Sequence, residues 1–288
     1  MQNIIRDAVK SVLPTQWVWA CQFRRYNRVS IRELCLAGAV EPEIELVEPL
    51  LGQGDGVVFD VGANKGDYTY AIQRVVAPGS IYSIEPLSAE CRHLRRLFPA
   101  VTVLQLALSD HEGELELKVP IINGQPFPTR ATLEKFQDLG ETGVMLERTR
   151  LQTLDRLCVT MGLEKVRYIK IDVEGHEQKA LVGASQTIKN WRPILQVEIE
   201  QRHHRDPIST IFGWVLDQGY SGFFYDAAQR RLHPLSEFNL GTHQALAAMG
   251  TPEYVNNFLF LNRDSAQRIV QAVHEKLASS QNSAFVRN

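Results

Sequence analysis

Val57-Val58-Phe59-Asp60-Val61-Gly62-Ala63-Asn64-Lys65-Gly66-Asp67-Tyr68-Thr69, followed by Ile81-Tyr82-Ser83-Ile84-Glu85-Pro86, decides the fold. An apolar strand runs into an acid and a small-residue turn, a helix opens, and a second strand ends in another acid. This is the layout of a nucleoside-binding α/β unit. Gly62 and Gly66 bracket a turn where a side chain would block a ligand or strain the backbone. The helix N–H groups opening near Tyr68 favour a negatively charged ligand group. Asp60 stands at the carboxyl end of its strand, where it can face an ammonium. Glu85, ending the next strand, is placed to accept two hydrogen bonds from a ribose diol. Glycines and acids that merely terminate strands are the bland alternative, and the ordered coincidence of four features argues against it.

The identity of the nucleoside decides the reaction class. A dinucleotide turn wants Gly-x-Gly-x-x-Gly so that a pyrophosphate can rest on the helix terminus. Here the turn reads Gly62-Ala63-Asn64-Lys65-Gly66, with Asp60 just before it. An acid beside a pyrophosphate is repulsive, whereas beside the α-amino group of S-adenosylmethionine it is attractive. The turn therefore favours a sulfonium cofactor over NAD.

Further motifs extend the pattern: Ala107-Leu108-Ser109-Asp110, Thr153-Leu154-Asp155, and Ile169-Lys170-Ile171-Asp172-Val173-Glu174-Gly175-His176-Glu177. Together with Phe59 to Thr69 and Glu85-Pro86, they make residues 56 to 200 resemble the FkbM-type methyltransferases, class I enzymes that use S-adenosylmethionine. The resemblance implies O-methylation of a hydroxyl, often on a glycan or lipid-linked saccharide or on a polyketide-type natural product. It also implies a seven-stranded sheet whose last strand runs antiparallel to its neighbours. Residues before 50 and after 205 match no named pattern.

The chain has 288 residues, 44% of them hydrophobic and 22% charged, enough for one sizeable core with appended segments. Its formal charge of −2, with both signs interspersed, lacks the basic stripe that a phosphate backbone requires, so nucleic acid is not the expected substrate. Cys21, Cys35, Cys91 and Cys158 are scattered, with neither zinc spacing nor a disulfide framework, and read as reduced thiols. Without a long apolar run or a signal-peptide segment, the expected location is the cytoplasm. The sequence carries no signal for oligomeric state.

The expected fold is α/β: a Rossmann-like, doubly wound, mostly parallel sheet with helices on both faces and an N-terminal helical extension. Strands are expected at 57–61, 80–85, 101–106, 167–172, 194–200, 220–225 and 257–262, with an additional one near 115–119. Helices are expected at about 67–77, 87–97, 153–161, 176–189, 207–218 and 265–278. This divides the chain into a helical segment at 1–50, a catalytic domain at 51–264, and a C-terminal helix and tail at 265–288, frayed after Ser279. In the first segment, Trp17, Trp19, Phe23 and Tyr26 mingle with Arg24, Arg25 and Arg28. They form either a packing face or a surface for peripheral contact with a membrane or a lipid-linked acceptor. The stretch 120–150, rich in Gly, Pro and Thr, reads as a mobile lid or substrate loop, or else as a solvated insertion.

Ligands of an open parallel sheet bind outside the carboxyl ends of its strands. Cofactor contacts are accordingly expected from Asp60, Gly62, Ala63, Asn64, Gly66, Thr69, Glu85, Pro86, Ser109 and Asp172. Ser109 and Asp110 suit either the adenine or a local turn cap. On the fourth strand Tyr168, Lys170 and Asp172 share one side, so a buried Lys170 needs a partner: Asp60, Asp172 or a cofactor-side carboxylate. A purely structural ion pair is the alternative. A sugar hydroxyl is a poor nucleophile and calls for a general base or an acidifying metal. In the favoured, metal-free mechanism His176 or Glu174 accepts the proton while Asp172 positions the base or the cofactor. In its competitor Asp172 and Glu198, with Glu200 as a further candidate, hold Mg²⁺ as in catechol-type methyltransferases. His203 and His204 are additional base candidates. The rival functions are a nucleotide-dependent oxidoreductase, disfavoured by the missing third glycine, and a catalytically silent binding module.

Overall fold

From Val57 onward, strands and helices alternate and build a main sheet around which the other described elements pack. The computed structural model describes residues 29–52, 54–134 and 140–285, with side chains to residue 279. Trp17, Trp19, Cys21, Phe23, Arg24, Arg25, Tyr26 and Arg28 lie outside the described residues, and with them the interfacial reading of the N-terminus.

Twelve strands are described: β1 Val57–Val61, β2 Ile81–Ile84, β3 Thr102–Leu104, β4 Ala107–Leu108, β5 Gly113–Ile122, β6 Gln125–Pro126, β7 Glu141–Gln152, β8 Val166–Ile171, β9 Ile194–Glu198, β10 Tyr220–Asp226, β11 Arg231–Pro234 and β12 Asn257–Asn262. The main sheet has the order β11-β10-β12-β9-β8-β1-β2-β3, and a second, four-stranded sheet has the order β4-β7-β5-β6. Strands β3, β2, β1, β8 and β9 run parallel, while β12 is antiparallel to both β9 and β10. All seven expected strands are present. The main sheet nevertheless has eight, because the chain folds back after β10 and adds β11 at the edge.

Alternation along the strands sorts side chains to opposite faces. Phe59, Val61, Ile169, Ile171, Leu195 and Val197 enter one core, under the helices Leu154–Met161, Glu177–Val182, Ser185–Trp191 and Ser209–Asp217. Val58 and Tyr168 enter the other, under Ile31–Leu36, Val47–Leu51, Asp67–Ile72 and Ser88–Leu97. The C-terminal helix Ala266–Phe285 buries Ala266, Val273 and Leu277 against Leu259 and Leu261, and it continues through the tail expected to fray. The helix expected at 176–189 is broken at Gly183-Ala184. A Cβ at Gly183 would stand 2.0 Å from the Ser109 carbonyl oxygen, so the chain must bend where it meets that loop.

The largest departure from expectation is at 120–150. Instead of an irregular loop, β5 and β7 form a long antiparallel hairpin, with the strap Phe127–Glu134 running back toward the main sheet. The isolated bridge Lys118↔Thr132 fixes the strap to β5. Cys35, Cys91 and Cys158 are free thiols. Among the described residues no helix is long and apolar enough to cross a membrane.

Candidate functional site

The chain leaves β1 outward toward β2 and β3, and later returns to β8 on the opposite side of β1. The crevice beyond the carboxyl ends of β1 and β8 is therefore the switch point where open α/β sheets bind ligands. Two glycines shape it. Gly62 has φ +78° and sits so close to β8 that a Cβ would lie 1.7 Å from the Asp172 carbonyl oxygen. Gly66, at φ +91°, caps the following helix where a Cβ would run into Leu94 and Phe98. The Gly62 and Ala63 N–H groups both donate to the Ile84 carbonyl, and this binds the turn to the end of β2.

Within this turn the acids are buried and held. Asp60 accepts from the Thr69 hydroxyl at 2.5 Å, and Thr69 in turn lies 2.7 Å from Ser83 Oγ. Burial pushes the Asp60 carboxyl up to about 6 against the opposing pull of Thr69 and Lys170. Glu85 accepts the Asn64 and Leu87 backbone N–H groups, each at 2.9 Å, yet burial still raises it to about 8. The Asn64 side-chain oxygen is buried with no hydrogen-bond partner. A buried, unpaired acceptor is costly and needs a donor from something bound there.

A small cavity of about 60 Å³ opens beside the turn. Gly62, Asn64, Glu85 and Pro86 form one wall, Leu106, Ala107 and Leu108 a second, and Asp172, Glu174 and His176 a third. Pro128, Thr129, Ala131 and Leu133 of the strap cover it. Two anchors hold the strap down. The Thr132 hydroxyl donates to the Glu174 carbonyl at 2.5 Å, and Glu134 Oε1 lies 2.7 Å from both His176 Nδ1 and Lys179 Nζ. His176 chiefly, with Lys179, holds the Glu134 carboxyl down at about 2 despite its partial burial.

His176 is thus engaged on both sides, since its Nε2 lies 3.0 Å from the Ser109 hydroxyl. Ser109 itself is fully buried behind Ala107 and Leu108, and its hydroxyl is divided between His176 and Asp110. The other two candidate histidines stand beside carboxylates, His203 Nε2 3.3 Å from Glu174 and His204 Nε2 3.0 Å from Glu177, the latter without the geometry of a hydrogen bond. Glu177 accepts the Gly175 N–H at 2.9 Å and so orders the turn after β8.

A second constellation lies at the ends of β8 and β9. One carboxylate oxygen each from Glu41, Asp172 and Glu198 falls within 4.8 Å of the others. Lys170, 1% exposed, stands among them with Nζ 3.8 Å from Asp172 and 4.0 Å from Glu198, donating to Asn257 Oδ1 at 2.9 Å. Its ammonium also lies 4.9 Å from the centre of the Tyr68 ring. Burial lifts Glu198 well above the carboxylate range, and the neighbouring Asp172 adds to this. Burial alone would depress Lys170, but Asp172, Glu41, Glu198 and Asp60 outweigh it and hold the ammonium charged. A relay from Tyr168 through Gln196 to the Tyr68 hydroxyl ends on Glu41.

Asp172 is the residue common to the cavity and this cluster. Asp60 and Thr69 are buried and, like Gly66, do not line the cavity. Glu200 is held elsewhere, by Arg202, the Tyr254 hydroxyl and Asn256, and Arg202 keeps it down at about 2. Mg²⁺ fits the remaining carboxylates poorly. An ion about 2.1 Å from the Asp172 and Glu198 oxygens would stand within about 6 Å of the Lys170 ammonium. Glu41 and Glu134 were not anticipated from sequence. Each lies in an irregular segment far along the chain from the motif it meets, and only the Glu41-Pro42-Glu43 run, ahead of a short 3-10 helix, set the first apart.

A family model falls on this same region. The family described as "Methyltransferase FkbM domain" matches residues 60–221. The 2-O-methyltransferase NoeI of Sinorhizobium fredii is 24% identical over 155 residues, covering 50% of this chain and 63% of NoeI. The AMB antimetabolite synthetase AmbE of Pseudomonas aeruginosa is 26% identical over 184 residues, 53% of this chain and 9% of AmbE. The match thus spans less than two thirds of either curated relative. Among solved structures, the methyltransferase FkbM from Methylobacillus flagellatus aligns with a TM-score of 0.45 at 14% identity, over 72% of this chain and 43% of that one. An O-methyltransferase from Bacillus cereus in complex with SAH aligns at 0.41 and 11% identity, over 89% and 96%.

Proposed function

The chain belongs to the FkbM methyltransferase family, and from that premise we propose that it is an S-adenosylmethionine-dependent O-methyltransferase. Its acceptor is a hydroxyl of a saccharide-containing molecule or of a secondary metabolite. One observation carries the reading of the cofactor site: a glycine cradle against the Asp172 backbone, with the orphaned Asn64 oxygen and the Glu85 carboxyl at the same cavity wall. Those groups suit an amino-acid nucleoside, whose amino, hydroxyl and adenine groups bring donors. The printed function of NoeI, a 2-O-methyltransferase, supports oxygen as the methyl acceptor.

In this reading Gly62 and Asn64 give the cofactor its close approach, Gly66 seats the turn on Leu94 and Phe98, and Asp60, backed by Thr69, supplies negative charge toward the amino group. Glu85 and Pro86 bound the ribose. Ser109 acts from behind Ala107 and Leu108 by fixing His176, not by touching the adenine. When bound, the cofactor supplies an activated methyl group on a sulfonium.

The base assignment moves from the histidine to the carboxylates. His176 has both ring nitrogens engaged and is 2% exposed, so it holds the strap. Asp172, facing the cavity and the acidic cluster together, accepts the hydroxyl proton as the oxygen–carbon bond forms and the carbon–sulfur bond breaks. Glu198 and Glu41 orient the hydroxyl. Glu174, whose own carboxyl is pushed well above the ordinary range by burial and then by Asp172, stays neutral beside them. Alignment of donor and acceptor supplies much of the remaining rate enhancement.

The test begins with calorimetry using S-adenosylhomocysteine and NAD. Binding of the first alone is expected; failure to bind it at millimolar concentration overturns the reading. Incubation with radiolabelled cofactor and a panel of saccharides and hydroxylated metabolites follows. Binding with no transfer to any acceptor favours the silent binding module.

A further inference from the structure

We propose that Lys170 takes the place of a divalent cation: its ammonium is the resident counter-ion that draws Asp172 and Glu198 together, so that the acceptor cleft works without a metal. The inference rests on reading this cleft as the acceptor site, and it concerns how the cleft's charges are balanced.

Three carboxylates from separate elements converge at the ends of neighbouring strands: Glu41 before a 3-10 helix, Asp172 after β8 and Glu198 ending β9. Such a gathering favours a nearby cation, because carboxylates at these separations repel one another when ionised. Magnesium, a hard ion preferring carboxylate oxygens and water, is one solution. This chain contains another. β8 and β9 pair Lys170 with Gln196, and β1 and β8 pair it with Asp60. The side chain therefore rises inside the sheet, on the face of Tyr168, and ends 3.8 Å and 4.0 Å from the two carboxylates.

Lys170 has no alternative position. It is 1% exposed, its Nζ is fixed on Asn257 Oδ1 at 2.9 Å, and Tyr68 closes the space below it. A dication on Asp172 and Glu198 would have to share its ligands with this ammonium, and nothing in the packing lets the ammonium withdraw. Asn257 belongs to β12 and also donates through Nδ2 to Glu41 at 3.3 Å. One amide thus links the cation to the third carboxylate. A lysine that served only to hold the fold would not need to be shared among these acids at the mouth of the cleft.

The experiment is a titration with Mn²⁺, followed by electron paramagnetic resonance, on the full-length wild type, on Lys170→Met and on the double variant Lys170→Met/Asp172→Asn. Wild type is expected to bind no Mn²⁺ saturably at millimolar concentration. Lys170→Met is expected to bind one equivalent at least about tenfold more tightly, and the second substitution to abolish this binding. Saturable binding by wild type, or no gain in Lys170→Met, overturns the proposal. Lys170→Gln, which retains a donor toward Asn257, replaces the methionine variant if that does not fold. Because the readout involves neither cofactor nor turnover, failure of the methyltransferase reading would appear separately, as absent S-adenosylhomocysteine binding.

Discussion

Replacing Gly62 by alanine should dismantle the cofactor cradle, and the structure sets the size of the effect. At φ +78° an L-residue costs about 1–2 kcal/mol. Alanine's Cβ would also stand 1.7 Å from the Asp172 carbonyl oxygen, and separations under 3.0 Å are not tolerated, so β1 and β8 must part by about 1.3 Å at their ends. That movement breaks the hydrogen bond from Asp172 N–H to the Val61 carbonyl at 3.0 Å, worth about 1 kcal/mol. The total is about 2–3 kcal/mol, or about 4 °C in Tm for a chain of this size. Gly124→Ala is the control, because Gly124 has a similar φ of +74° with nothing within 4 Å, so it bears the backbone cost alone. Urea unfolding of both variants measures the difference, and calorimetry with S-adenosylhomocysteine measures the cradle. If Gly62→Ala is no less stable than Gly124→Ala, or binds the ligand as wild type does, the close-approach argument fails.

Three further outcomes are expected. Glu134→Gln removes the charge that ties the strap to His176 and Lys179, and should weaken S-adenosylhomocysteine binding by about tenfold with little change in Tm; unchanged affinity in calorimetry would separate the strap from the cofactor. Asp172→Asn should lower kcat by about a hundredfold or more while ligand affinity stays within a few-fold, and a variant turning over normally removes Asp172 as the base. Asp60 and Glu85 are raised to about 6 and about 8, so the folded protein holds protons that the unfolded chain has released. Stability from these groups is therefore present below their ordinary values near 4 and is lost as pH rises toward 8. A ribose diol donating to Glu85 favours its carboxylate, so ligand binding near pH 7 should release protons, seen as a binding enthalpy that differs between phosphate and Tris buffers. Identical enthalpies in the two would contradict this.

Legibility followed the range of the interactions involved. The main sheet could be read because its strands are continuous apolar runs punctuated by acids and glycines, a signal contained within each segment. The order of residues on β8 was readable for the same reason: alternation places Tyr168, Lys170 and Asp172 on one side, as found. Of the hairpin, the strand expected near 115–119 lies within β5, but β7 was not readable, since it exposes Val144, Met145 and Leu146 and its period-two pattern is weak. Its register depends on partners that lie up to 38 residues away, such as Gly113↔Leu151. The eighth strand is only four residues long and exists by pairing with β10.

The site divides along the same line, with one consequence for mechanism. The turn proposed for the cofactor is local, so Gly62, Asn64 and Glu85 could be named from the sequence. Catalytic roles depend on what surrounds each group. His176 looked like a free base near neutrality because Glu134 and Ser109, 42 and 67 residues away, were invisible to it in the sequence. Once both ring nitrogens are engaged, the proton from an acceptor hydroxyl must go to a group with an open oxygen at the cavity. Asp172 qualifies: its side chain is 25% exposed, it lines the cavity, and its contact with Lys170 is a long 3.8 Å instead of a tight pair. A separation of nearly 4 Å from the ammonium leaves an Asp172 oxygen free to accept the proton.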